Sequence, residues 1–458
     1  MKLEPLKKYS PKPWAILRPY HRALIVQTNT GETVHEGKRN VEKALSNLSG
    51  HVLYALDSLE PFIHTTGALS WSMSIWKGRI TRATHTATRV SVVSLRGTLP
   101  EETAVDDLDR FLSWIRGYAV TPASIPAMAW GLFRASLPRS YSCGFDPETG
   151  RAAFYGGRQE ITQTGTFRNM IALDIKSAYP AAMARPQGYA LTLREVDPST
   201  QLDPYASGIA QARVHIPQWF PYALLPVRVS KDSISFQRGD LHGFWPWCEL
   251  AAAARLGADV HVLRSWAPAR QADLFGPWWP LAEEGRNLPG GAGQLAKALS
   301  QSTWGQFGMS AEERCRRQYA DDYGRNWLDL PLNDHQMPHS WTAHVAAETT
   351  GRVRAQMLDA ITTTNPVHID TDGILVAAGT DIPGGGTGAP GEWRIKTEMN
   401  TLQIRGPQLY RWQCPQCGAG HQCGPWHYTT SGIPAHEAAE FFNRNTPTEI
   451  NVKHESRF

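Results

Sequence analysis

The stretch Val367-His368-Ile369-Asp370-Thr371-Asp372-Gly373-Ile374-Leu375-Val376 sets two short strand-like runs on either side of an acidic turn. It reads as a β-hairpin that carries carboxylates at its tip. Immediately before it, residues 341–361 place Trp341, Val345, Val353, Met357 and Ile361 on one face of a helix. Further upstream, helices are predicted over 294–303 and over 246–256, the latter with Gly257 at the usual stop position. An apolar strand, 170–173, leads into Asp174-Ile175-Lys176-Ser177-Ala178-Tyr179-Pro180, where the proline turns the chain. Earlier still, strand-like runs at 23–27 and 90–95 and a helix at 105–115 predict an α/β domain. The turn-rich segment 140–166, which includes Tyr155-Gly156-Gly157-Arg158, separates that domain from the rest, and the boundary is placed near Gly150. After the hairpin, 384–391 is a glycine-rich loop, and there is no internal repeat.

At 458 residues the chain has room for two or three domains, which excludes a small binding module. A net charge of +4 suits a nucleic-acid partner and equally suits many enzymes that never touch one. Most of the 17 tryptophans are expected in cores. No apolar run resembles a signal peptide or approaches the roughly twenty residues of a spanning helix, so no membrane partner is expected and the protein reads as cytoplasmic. Six cysteines in so long a chain argue against a disulfide framework, and three of them cluster between Cys414 and Cys423.

Hard divalent ions take carboxylate oxygens presented from rigid backbone, and nucleotidyl transfer needs metal ions that bridge attacking and leaving oxygens. Asp174, Asp370 and Asp372 are the candidates, although Asp-Thr-Asp alone also caps helices and sits in solvated turns. In kind, order and spacing, three segments resemble the polymerase motifs of family B DNA polymerases of the protein-primed phage and plasmid type. Asp174 to Pro180 resembles Asp-x-x-Ser-x-Tyr-Pro. Lys297-Ala-Leu-Ser-Gln301-Ser-Thr-Trp304-Gly305 is similar to Lys-x-x-x-Asn-Ser-x-Tyr-Gly, and Asp370-Thr371-Asp372-Gly373 is similar to Asp-Thr-Asp-Ser. Tyr155-Gly156-Gly157 resembles the Tyr-x-Gly-Gly segment that touches the template strand. Gly391-Glu392-Trp393 with Gln408-Leu409-Tyr410 resembles the late palm segment ending in Lys-x-Tyr, which holds the primer terminus, and Gly432-Ile433-Pro434 fits the family segment C-terminal to it. The resemblance spans about residues 151–440.

The resemblance implies a right-hand α/β fold over 151–458, with a palm, helical fingers at about 241–310, a hairpin at about 411–430 and a short thumb at about 435–458. It implies a DNA-directed DNA polymerase acting on primer-template DNA and deoxynucleoside triphosphates, with a terminal protein or another replication protein as a further partner. Asp174 and Asp372 would hold two Mg²⁺ ions, for which Mn²⁺ can substitute, with Asp370 as supporting carboxylate. Lys297 and Arg286 would face the triphosphate, Tyr179 would exclude a 2′-hydroxyl, and Gln301 and Trp304 would meet the nascent pair. Tyr155, Gly156, Gly157, Arg158, Gln408 and Tyr410 would contact DNA. Three positions depart from the pattern: Gln301 replaces Asn, Trp304 replaces Tyr, and Gln408 replaces the primer-holding Lys. About twenty-five residues come after Gly432, few for a full thumb. Between the second and third motifs, residues 310–338 have room for an inserted hairpin.

A proofreading exonuclease begins with Asp-x-Glu on one strand, which puts both carboxylates on one face. Asp57-Ser-Leu-Glu60 has one residue too many, and Pro61 cuts the strand short. The N-terminal domain is therefore a degenerate exonuclease scaffold or an unrelated α/β module, without recognisable proofreading. Cys414, Cys417, Cys423 and His427, with His421 as alternate, have the compact spacing of a structural Zn²⁺ site. Two other readings stay open: a primase-like or template-independent nucleotidyltransferase on the same palm, and a non-catalytic nucleic-acid-binding replication factor.

Overall fold

The computed structural model describes residues 14–20, 23–28, 31–36, 43, 47–48, 52–55, 71–76, 79–85, 91–95, 99, 102–120, 125–137, 145–184, 188–230, 233–308, 317–320, 327–330, 342–406, 408–416, 426–430 and 435–443. The chain divides into two compact units. Residues 1–142 and 274–341 form the first, and 143–273 with 342–458 the second.

In the first unit a nine-stranded mixed sheet has three parallel strands, Trp14–Tyr20, Val52–Ala55 and Ser91–Ser94. Antiparallel neighbours flank them, Ala23–Thr28 and Gly31–Glu36 on one side, Arg79–His85 and Trp71–Trp76 on the other. An antiparallel hairpin, Arg317–Ala320 with Trp327–Leu330, lies in the segment where the sequence leaves room for one and joins the sheet through Gln318 opposite Met73.

Four helices of this unit, Ala104–Gly117, Ile125–Ser136, Trp279–Arg286 and Gly291–Gly308, bury their apolar stripes on one another. Phe133 is the hub, with its ring 5.1 Å from Phe275 and 5.0 Å from Phe307. At Gly285 a Cβ would come within 2.4 Å of the Trp114 indole, so only glycine lets these helices approach. This packing is why 274–341 segregates with the N-terminal residues instead of remaining on the far side of a division at Gly150. The expected fingers, about 241–310, are likewise split. Helix Trp247–Arg255 belongs to the second unit, and the helix carrying Lys297 to the first.

The second unit is built on a seven-stranded antiparallel sheet. Its order is His427–Thr430, Leu409–Gln413, Trp393–Gly406, Gly165–Ile175, Gly373–Ala377, His368–Thr371, Arg158–Ile161. The hairpin legible in the sequence lies between the central strand Gly165–Ile175 and the edge strand Arg158–Ile161. Side chains of the long strand Gly165–Ile175 alternate between two cores. Ile171, Leu173 and Ile175 pack on Val353, Met357 and Ile361 of helix Ala343–Thr364. Met170 and Ala172 pack on Leu375, Met399, Leu402 and Tyr410 across the opposite face. A second sheet, ordered Tyr189–Val196, Asp259–Ala272, Ile209–Ile216, Gly239–Pro246, packs with helix Trp247–Arg255 around Trp245 and Trp247.

Helix Ala343–Thr364 carries charge into this core. Glu348 is buried, accepts a hydrogen bond from the Ser207 hydroxyl, and lies 3.9 Å from the buried Arg352. Burial pushes its pKa up to about 7, against the opposing pull of Arg352 and Ser207. The folded chain thus keeps a proton that the unfolded chain releases near the ordinary carboxylate value. Stability from this group is complete below that value and is lost as pH rises through about 7. Glu348→Gln keeps the shape and removes the titration. Wild type is expected to lose on the order of 2–3 kcal/mol between pH 4.5 and 7.5 that the variant keeps, read as the pH slope of the urea midpoint.

Candidate active site

Asp174 lies on the face of strand Gly165–Ile175 that carries Met170 and Ala172, opposite the helix layer. On the neighbouring strands Gly373 pairs with Asp174, and Asp370 pairs with Gly373. The Ile175 amide donates to the Asp372 carbonyl at 2.9 Å, which ties the hairpin tip to the end of the long strand. Asp370 and Asp372, nearly two hundred residues beyond Asp174, thereby join it at one end of adjacent strands, in a cavity of about 390 Å³ that Lys396, Gln408 and Tyr410 also line.

Partners distinguish the three acids. Asp174 accepts from Arg394 Nε at 2.8 Å and Nη2 at 3.4 Å, and Lys396 Nζ stands 3.5 Å from its Oδ2. Asp370 accepts from the side-chain amides of Gln159 and Gln408 at 3.2 and 3.1 Å. Asp372 has its pKa pushed up to about 6, by burial first and by the charge of Asp174 next, with Asp370 adding to the repulsion and Lys396 opposing it. A group of hard oxygen donors that repel one another in this way fits a divalent cation, whose charge would reverse the shift. Among the described residues no three His, Cys, Asp or Glu side chains already converge as a ligand set. Arg394 and Lys396 take up the Asp174 carboxylate instead.

Backbone strain gathers here. Ser177, Thr371 and Gln408 have φ of 56°, 60° and 48°, left-handed values that non-glycine residues seldom adopt. Thr371 separates the two hairpin acids, and a Cβ on Gly157 would lie 2.6 Å from its methyl group. The Tyr155-Gly156-Gly157 segment therefore abuts the acidic hairpin, and Gly157 has to be glycine. From the other side, Arg354 donates to the carbonyls of Tyr155 and Gly156 at 2.6 and 2.8 Å while forming a two-point pair with buried Glu249 at 2.8 and 2.6 Å. Tyr179, at the start of helix Ala178–Met183, is half-buried against the core under the sheet. Burial and the nearby Asp372 raise its pKa above the ordinary phenol value, so it stays a neutral donor.

Two residues expected on DNA are instead buried. Arg158 is 2% exposed because its guanidinium is spent on Glu160, on the Ala223 carbonyl at 2.7 Å and on the Phe236 ring. Tyr155 is 3% exposed, between Arg228 and Arg354. Tyr410 lines the cavity edge-on to His368. On helix Gly291–Gly308, Lys297 and Gln301 are exposed and Trp304 is half-buried, spaced four and three residues apart on the face opposite Leu295 and Leu299. In the same unit Arg286 donates to the Ser300 hydroxyl at 3.0 Å.

Cys417, His421 and Cys423 lie outside the described residues, as do Asp57 and Glu60. His427, within them, stacks on Trp412 at 4.0 Å with a buried Nε2 that has no hydrogen-bond partner among the described residues, a nitrogen that a metal ion would satisfy. Gln159, Arg394, Lys396 and the Glu249–Arg354 pair escape sequence reading. Their partners are between 105 and 222 residues away, and only the neighbourhood of Trp393 offers a local signal.

No known family profile and no curated protein matches the sequence. Among solved structures, the ternary complex of Phi29 DNA polymerase with primer-template DNA and incoming nucleotide substrates matches with a TM-score of 0.70 at 11% identity, covering 94% of each chain. An orthorhombic crystal form of Phi29 DNA polymerase matches at 0.72 and 11%, covering 94% of this chain and 95% of that one. The same polymerase with primer-template DNA, in the post-translocation binary complex, matches at 0.68 and 12%, again over 94% of each. In fold, over nearly its whole length, this chain is like a solved DNA polymerase.

Proposed function

We propose that the protein is a DNA-directed DNA polymerase that transfers a nucleotidyl group from a deoxynucleoside triphosphate to a primer 3′-hydroxyl. The observation that carries this is that Asp174, Asp370 and Asp372 line one cavity at one end of adjacent strands, in a chain whose fold is like that of Phi29 DNA polymerase. Asp174 and Asp372 would hold two Mg²⁺ ions, or Mn²⁺ in their place. The chemistry such ions supply is a lowered pKa at the primer hydroxyl and neutralisation of the triphosphate. Asp370, held by two glutamine amides, keeps the hairpin tip in place and adds negative charge behind the ligands. Lys297 and Arg286 would meet the triphosphate, Gln301 and Trp304 the nascent pair, and Gly156, Gly157, Gln408 and Tyr410 the DNA.

Tyr179 would stack under the incoming sugar and exclude a 2′-hydroxyl. Tyr179→Val is expected to raise ribonucleotide incorporation relative to deoxynucleotide by at least about tenfold, read from extension with each triphosphate. Wild-type protein that incorporates neither nucleotide on a primed template with Mg²⁺ or Mn²⁺ overturns the assignment, and equal extension without a template points to the template-independent reading.

We further propose that the N-terminal unit is a degenerate exonuclease scaffold. Coverage of 94% leaves little of that unit outside the likeness, and the spacing of Asp57 and Glu60 supports the loss of activity. Digestion of single-stranded DNA from its 3′ end by purified protein refutes this. The proposed zinc site at Cys414, Cys417, Cys423 and His427, with His421 as alternate, rests on sequence spacing and on the His427 nitrogen, which has no partner among the described residues, and the zinc content of the purified protein decides it. A terminal protein or another replication protein is the proposed partner, testable by co-purification. Among the described residues no helix is long and apolar enough to cross a membrane. A cytoplasmic location is proposed, checked by cell fractionation.

A further inference from the structure

We propose that Lys396 is the phosphate-binding cation of the acidic cavity, an inference that rests on the polymerase reading. Among the described residues that line this cavity, Lys396 is the only lysine or arginine, facing Asp174, Asp370 and Asp372. Any nucleotide or primer end reacting there brings phosphates toward three carboxylates, and a fixed positive charge among them is the direct remedy. Position 408, from which a lysine would serve, carries a glutamine whose amide is spent on Asp370 at 3.1 Å.

The local geometry prepares Lys396 for this. Strand Trp393–Gly406 keeps regular register with its neighbour until Ile395 pairs with Leu173 and Thr397 with Ala172, which leaves Lys396 as the extra residue of a bulge. Bulges bend a strand and re-aim a side chain, and they recur beside active sites. Here the amine reaches back to Asp174.

That contact is weak enough to exchange. Nζ is 3.5 Å from Oδ2, the side chain is 62% exposed, and Arg394 already meets the same carboxylate through two nitrogens. Arg394 is a forked clamp that fixes Asp174. Lys396 is a point charge on a four-carbon stem, and it can leave one oxygen for another without disturbing the strand. The phosphate belongs to the primer terminus or to the incoming triphosphate, and both present the same oxygens.

The test compares Lys396→Gln, Gln408→Lys and the double variant, with equilibrium binding of primer-template DNA and the KM for deoxynucleotide as separate readouts. Because Lys396 is largely exposed, the glutamine variant keeps its fold, checked by circular dichroism. Lys396→Gln is expected to weaken one of the two constants by about tenfold. Loss in DNA binding, with the salt slope smaller by about one, assigns the primer phosphate, and loss in KM assigns the triphosphate. Gln408→Lys restores most of the loss in the Lys396→Gln background and acts there by a larger factor than in wild type, since both side chains serve one cavity. The proposal is overturned if Lys396→Gln leaves both constants at wild-type values, or if Gln408→Lys acts by the same factor in both backgrounds. Wild-type protein that never extends a primer fails the polymerase reading instead, and DNA binding by Lys396→Gln still reads the present one.

Discussion

Asp372→Asn is expected to lower the proposed primer extension by at least about a thousandfold while leaving the fold intact. The substitution is isosteric and keeps a hydrogen-bonding side chain at the hairpin tip, so the sheet has no reason to rearrange. It removes the negative oxygen that a divalent ion needs, at the position where burial and the charges of Asp174 and Asp370 already disfavour a bare carboxylate. An uncharged amide there is tolerated by the apo protein, and its thermal midpoint is expected to equal or exceed that of wild type. Loss of extension with retained stability is the pattern of a metal ligand. A variant that extends a primed template at wild-type rate removes Asp372 from the site, and a variant that loses both activity and fold shows a structural role. Asp174→Ala is expected to abolish extension as well, but it also releases Arg394 and Lys396, so Asp372→Asn is the cleaner measurement.

The second large effect is on stability. Glu249 and Arg354 are 0% and 2% exposed and joined through two nitrogens and two oxygens, so removal of one charge strands the other in the core. Glu249→Gln is expected to cost about 3–5 kcal/mol, a shift of about 1–2 M in the urea midpoint of the second unit. Replacing both residues by leucine recovers part of that, since no uncompensated charge remains. It does not recover all, because the carbonyls of Tyr155 and Gly156 lose their donor. Equal midpoints for wild type and Glu249→Gln would show that the pair contributes nothing. In the double variant the Tyr155-Gly156-Gly157 segment is expected to loosen, and its amide exchange with deuterium reads that directly.

Much of the site is legible without coordinates. The hairpin is readable because its signal is local: alternating strand residues around an acidic turn, found as antiparallel strands His368–Thr371 and Gly373–Ala377. Helices expected at 105–115, 246–256, 294–303 and 341–361 appear as Ala104–Gly117, Trp247–Arg255, Gly291–Gly308 and Ala343–Thr364. Their apolar periodicity comes from the faces they bury. Arg158 is a core cation where a DNA contact is expected, since an arginine after two glycines carries no mark of the carbonyl and aromatic ring that bury it.

What the sequence by itself determined is which residues are candidates for the proposed chemistry: three carboxylates in order and spacing, a tyrosine after the first, and a helix face bearing Lys297, Gln301 and Trp304. Those properties are covalent and local, so they survive without a fold. Only the tertiary structure decided that Asp174 is clamped by Arg394, that Asp370 is held by two glutamines, and that a bulge returns Lys396 to the cavity. Each depends on strand register between segments far apart in the chain, and register is set by the packing of two cores on the strand Gly165–Ile175.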